Sequence, residues 1–200
     1  MSVEREADLV EHLVDRQVVH SSKYLTFVRD TIADPEGGHH EREVVLHPGA
    51  VTVVAVLAGG RVLLVRQYRH PAGKALLELP AGTLDRLADG SLEDPLVAAQ
   101  RELFEETGHR AANWRWLASF WTAPGFATER MTLFLATGVS ADPSHTGPEP
   151  DERLIVETLP YAELVARARR GEIDDAKTLI GIYELDALVR AGEIREIRAS

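Results

Sequence analysis

Glu102, Glu105 and Glu106 recur at spacings of three and four, so in a helix their carboxylates share one edge of about one turn. Like charges that close repel one another, and folding alone gives no reason to gather them. A hard divalent cation supplies one, because Mg²⁺ takes oxygen ligands from a few carboxylates together with waters and substrate phosphates. Arg101 adjoins the cluster and can orient a carboxylate through a bidentate hydrogen bond. The plain alternative, for any isolated E-x-x-E-E, is a solvated acidic helix face. The chain has no cysteine, so catalysis must rest on oxygen, nitrogen or a metal.

A helix must hold these residues, and the sequence writes its ends. Asp94 can accept from the first free amides, Pro95 suits the first helical position, and Gly108 supplies a left-handed stop. Leu96, Ala99, Leu103 and Phe104 form a stripe able to pack on a sheet. Strand signals surround this helix. VVHSS, YLTFVRDTI and REVVLH read as a short antiparallel meander through about residue 47, and VTVVAVLA and RVLLVRQY as a hairpin closed by a two-residue turn at Gly59-Gly60. WRWLASFW, MTLFLAT and LIVETL are further strands. YAELVARARRGEI and Asp175 to Val189 form a closing helical pair, with Gly171 as a stop. Strands, a helix, more strands and terminal helices predict an α+β fold with a mixed sheet.

Composition bounds the function. Two hundred residues, 44% hydrophobic and 27% charged, suit one large domain or a domain with a small appendage. A formal charge of −10 has the wrong sign for a phosphate-backbone binder, which argues against nucleic acid as a partner. The longest apolar run, Val51 to Ala58, is far below the roughly 20 residues a membrane helix needs. The first fourteen residues lack a basic start followed by an apolar core, so a cytoplasmic protein is expected.

Seven residues separate Glu93 from Arg101, and with RELFEETG and the upstream Gly82 in ELPAGTLD this spacing resembles the Nudix hydrolase signature. Two departures accompany the match. Ten residues, rather than five, separate Gly82 from Glu93, and His109 stands where an aliphatic residue is usual. Pro124, sixteen residues beyond Gly108, and APGFATERMTLFLA resemble the ADP-ribose pyrophosphatase branch, as do RQYRHPAG, REVVLHPGAV and GEIDDAKTLI. The likeness spans about residues 18 to 185.

The resemblance implies a Nudix α/β/α sandwich over 48–200, with residues 1–47 as an N-terminal β meander through which two copies form a homodimer. It implies Mg²⁺, or Mn²⁺, held by Glu102, Glu105, Glu106 and the carbonyl of Ala81, with Glu93 tying the preceding loop to the helix near Arg101. It also implies hydrolysis of ADP-ribose to AMP and ribose 5-phosphate. Another nucleotide sugar such as GDP-mannose is the enzymatic alternative, and a noncatalytic nucleotide-sugar sensor the more distant one. Glu152 is the expected general base, with Asp151 and Glu149 behind it in the same acidic loop. Arg42 and Arg69 are expected to meet phosphate and nucleoside, and Glu129 the terminal ribose. His39 and His40 read as surface residues, and Trp114, Trp116 and Trp121 as core or interface rather than base-stacking platforms.

Overall fold

The computed structural model describes residues 9–147, 153–194 and 197. The chain divides into two compact units, Met1–Gly49 with Trp121–Arg130, and Ala50–Phe120 with Met131–Ser200. The Pro-Gly segment around Pro124 therefore groups with the N-terminal strands.

In the first unit, β1 (His12–Ser21), β2 (Thr26–Ala33) and β3 (His39–Leu46) form an antiparallel sheet in the order β1-β2-β3. Val28, Asp30 and Ile32 alternate into the interior from the central strand. Asp30 is tolerated there because Arg16 grips it with two hydrogen bonds of 2.7 Å each, holding its carboxyl below the usual carboxylate range. Val45 extends the sheet by donating to Phe126 O and accepting from Thr128 N.

The second unit is built on a mixed sheet of seven strands. Its path is β10 (Leu154–Pro160), β5 (Arg61–Arg69), β4 (Ala50–Leu57), β9 (Arg130–Ala141), β8 (His109–Trp121), with β6 (Lys74–Glu78) on β5 and β7 (Ala81–Thr83) on β4. Strands β4 and β9 run parallel, while β4, β5, β6 and β10 pair antiparallel. The nearly continuous apolar run of β4 follows from burial on both faces. Val51, Val53 and Ala55 join Leu63, Phe134, Ala98, Ala99 and Leu103 in one core, with Leu103 supplied by α1 (Pro95–Thr107). Val54 and Val56 join the other core, with Leu164 of α2 (Tyr161–Arg169) and Ile182 and Leu185 of α3 (Ala176–Arg190).

The helix ends form as their residues dictate. Asp94 accepts from Leu96 N and Val97 N at 2.8 and 3.3 Å, and Gly108, at φ 69°, donates to Phe104 O. The hairpin differs from expectation in its turn. Leu57 pairs with Arg61, which leaves three residues, Ala58, Gly59 and Gly60, in the loop. Both glycines adopt positive φ, and the longer loop lets Gly60 N reach Leu57 O at 3.2 Å. Strands β6 and β7 have no counterpart in the sequence reading, being short and interrupted by Pro80.

Candidate active site

The second unit brings Ala81, Gly82, Glu93, Arg101, Glu102, Glu105 and Glu106 into one neighbourhood. Arg101 is its hub. Nε and Nη2 bind the two oxygens of Glu93 at 3.2 and 2.8 Å, Nη1 donates to Glu102 Oε1 at 2.7 Å and Glu105 Oε2 at 3.0 Å, and Nη2 also donates to Thr83 O. One planar fork thus gathers three carboxylates and a backbone carbonyl, where the sequence suggested a role for Arg101 with a single carboxylate. Its hydrogen bond holds Glu93 below the ordinary carboxylate range. Glu93 also accepts from Asp85 N at 3.3 Å, so it joins the loop before the helix to the helix itself.

Glu106 turns the other way and accepts from Ala81 N at 3.0 Å. Glu102 and Glu105 are thus drawn to Arg101 and Glu106 to the backbone, a division that relieves their mutual repulsion. Among the described residues no three His, Asp or Glu side chains converge as a ready cation cage. The donor set nevertheless fits a hard divalent ion. Asp85, Glu93, Glu102 and Glu105 gather at the Arg101 guanidinium, and Glu106 lies against the Ala81 backbone, so carboxylate oxygens outnumber the cationic groups that meet them. Gly82 provides the cradle, since a Cβ there would lie 1.9 Å from Glu102 Oε1 and 2.3 Å from Oε2. The residues between Gly82 and Glu93 leave this geometry intact by closing on themselves: Leu87 N donates to Ser91 O, and Arg86 bridges to Leu92.

Arg69 points its Nε and Nη2 at Glu78, at 2.8 Å each, and Nη1 has no hydrogen-bond partner among the described residues. In the first unit, Arg42 pairs with Glu11 and lines a cavity of about 390 Å³ with Trp121 and Phe126. Trp121 is exposed there, as is Trp116 on β8, while Trp114 packs edge-on against Phe134. Glu129 accepts from Thr122 Oγ1, and His47 Nε2 stands 3.6 Å from it. His40 lies on the surface beside Asp34, and His39 is exposed as well. Glu149, Asp151 and Glu152 lie outside the described residues.

The sequence reading did not single out Glu78, Lys177 or Asp175. Lys177 donates to Glu78 and lies 3.0 Å from Asp175, which caps α3 by accepting from Thr178 N. The GEIDDAKTLI resemblance and the Asp175 cap both point to this stretch, but they mark a motif and a helix start rather than a charge cluster with Glu78.

The NUDIX domain model matches residues 46–180. The methanol dehydrogenase activator of Bacillus methanolicus is 36% identical over 88% of this chain and 92% of its own length. The ADP-ribose pyrophosphatase of Mycobacterium tuberculosis is also 36% identical, over 88% of this chain and 83% of its own length. The crystal structure of an ADP compounds hydrolase shares the fold, with a TM-score of 0.76 and 20% identity over 92% of this chain and 97% of that one. The family model covers the strand, loop and helix that assemble around Arg101, and relatives align across nearly the whole chain: it belongs to the Nudix hydrolase family.

Proposed function

We propose that this chain hydrolyses ADP-ribose to AMP and ribose 5-phosphate with Mg²⁺. The observation that carries this reading is the excess of carboxylates gathered on α1 around Arg101 and against Gly82. The name of the Mycobacterium tuberculosis relative supports the substrate. Glu102, Glu105 and Glu106, with the Ala81 carbonyl, would hold the cation. A bound divalent ion neutralises diphosphate charge and lowers the pKa of water. The chain's own residues supply the rest. Arg69, whose Nε and Nη2 are held by Glu78, is read as a phosphate contact through Nη1, and Arg42 is carried over from the family resemblance as a nucleoside contact. Glu129 accepts from ribose hydroxyls. A water oxygen forms a new bond to phosphorus, the bridging P–O bond breaks, and the water proton passes to Glu152.

A product-resolved assay of ADP-ribose, ADP-glucose, GDP-mannose and diadenosine polyphosphates tests the substrate, with AMP and ribose 5-phosphate from ADP-ribose expected as the fastest products. Faster release of GMP from GDP-mannose would transfer the reading to that nucleotide sugar. Turnover should stop in excess EDTA and return with millimolar Mg²⁺, and full turnover in EDTA would overturn the metal dependence.

We also infer a homodimer formed through the N-terminal strands. Leu13, Val14, Val18 and Val19 lie exposed on β1, more apolar surface on one strand than an isolated chain leaves to water without cause. Light scattering at micromolar concentration should give twice the 22.0 kDa chain mass, and a monomer with full activity would refute it.

A further inference from the structure

We propose that Lys177 is a positioning residue for the diphosphate: it neutralises Glu78, so that this carboxylate fixes the direction of Arg69 without cancelling its charge. The inference rests on the reading of Arg69 as a phosphate contact. Glu78 is 1% exposed and ends β6, three residues before Ala81. Its two oxygens hold Nε and Nη2 of Arg69 at 2.8 Å each, a fork geometry that leaves the guanidinium one direction to point. A carboxylate that close would also spend most of the arginine's attraction for an anion. Lys177, itself 8% exposed, donates to the same carboxylate from the first turn of α3. Asp175 lies 3.0 Å from Lys177 and completes a set of two cations and two carboxylates. Burial alone would raise the pKa of Glu78, yet the two cations hold it below the ordinary carboxylate range, so it stays charged and able to accept both Arg69 donors.

The same helix end fixes the backbone that follows Glu78. Leu79 N donates to Thr178 Oγ1 at 2.8 Å, and Thr178 Oγ1 donates to Asp175 Oδ2 at 2.5 Å. Leu79 lies over Gly181, where a Cβ would come within 2.4 Å of Leu79 Cδ1. Pro80 O accepts from Val53 N at 2.9 Å and Thr52 Oγ1 at 3.1 Å, and Ala81 N donates to Glu106. Every residue from Glu78 to Ala81 is thus tied to a different element. The start of α3 holds both the arginine offered to phosphate and the strand that leads to the carboxylate cluster.

Deleting the Lys177 charge leaves Glu78 and Asp175, with Glu106 beside them, against Arg69 alone, so an anion meets more negative charge there than in the parent. Calorimetric titration of inorganic pyrophosphate into the Mg²⁺-supplied protein should show Lys177→Met binding about tenfold more weakly than the parent, a loss of about 1.4 kcal/mol. Lys177→Arg should recover most of the loss. In steady-state assays with ADP-ribose the change should appear in KM, with kcat altered less than about threefold. In an Arg69→Ala background, Lys177→Met should add no further loss, because its effect passes through Arg69. The charge-neutral pair Glu78→Gln with Lys177→Met guards against a folding defect. It removes both buried ions together, should keep its melting temperature, and should still bind pyrophosphate more weakly because Arg69 loses its guide.

Independent, multiplying losses for Lys177→Met and Arg69→Ala would overturn the proposal. So would Lys177→Met that lowers the melting temperature while pyrophosphate binding stays unchanged. An Arg69→Ala protein that binds pyrophosphate as well as the parent would overturn the proposal together with the phosphate role of Arg69. Normal pyrophosphate effects without ADP-ribose turnover would instead fail only the substrate reading and support the proposal.

Discussion

Glu106→Gln is expected to lower kcat/KM by roughly a thousandfold, the equivalent of about 4 kcal/mol of transition-state stabilisation, and added Mg²⁺ should recover only part of it. Glu106 is nearly buried, and its Oε2 accepts from Ala81 N at 3.0 Å. A glutamine keeps that bond through its amide oxygen and nearly the same volume, so fold and loop position survive. What disappears is the negative charge that the proposed function assigns to cation binding, and with it the proposed charge balance for diphosphate. The paired variant is Glu152→Gln. A lost general base typically costs about 10²- to 10⁴-fold in kcat with smaller effects on binding, and more metal does not replace it. Its rate should keep climbing with pH beyond the parent plateau, since hydroxide can substitute for the missing base. A Mg²⁺ titration at several pH values separates the two outcomes. If Glu106→Gln retains parental activity, the cluster does not hold the catalytic metal. If Glu152→Gln does so, the base is to be sought at Asp151 and then Glu149.

The contrast between these residues also shows what a sequence can deliver. α1 was legible from end to end because its determinants are local: a capping aspartate, a proline, an apolar stripe and a glycine whose φ of 69° ordinary side chains resist. The spacing of Glu93, Arg101, Glu102, Glu105 and Glu106 was legible for the same reason. How Arg101 divides its donors was not. Thr83 and Glu93 reach it only because β7 and the loop after it fold back along the helix, and β7 is three residues long. Glu78 and Lys177 are 99 residues apart, and no local pattern links them. A polar pair that a fold makes from distant strands and helices carries no period. The hairpin turn failed on a finer point, since two adjacent glycines mark a turn without saying whether Ala58 joins it. Aromatic content alone did not separate Trp114, packed against Phe134, from Trp121, which is exposed and lines a cavity.

Arg101→Met is expected to reduce both stability and turnover, and Arg101→Lys to do little better. Glu93 is almost buried and gives both oxygens to Arg101, while Glu102 and Glu105 share its Nη1. Removing one partner of a buried pair leaves the other uncompensated, which costs about 3 kcal/mol, or a fall in melting temperature of roughly 6 to 12 °C for a chain of this size. An ammonium restores the charge but is a single point, and it cannot span Glu93, the two helix carboxylates and Thr83 O together. Since groups that orient metal-directed side chains typically contribute about 10- to 100-fold to activity, kcat should drop by that factor in both variants. The acid side gives an independent check. Hydrogen bonding from Arg101 lowers the pKa of Glu93 in the folded protein from its ordinary 4.5. Its contribution to stability is therefore complete above that ordinary value and is lost as pH falls through the lowered one. The parent should lose stability across that acidic interval, and Arg101→Met, with the contribution already gone, should show a shallower slope there. Melting curves from neutral pH into that interval, run beside kcat at neutral pH, measure both effects. An Arg101→Lys protein with parental activity and melting temperature would show that charge alone, and not the planar fork, organises the cluster.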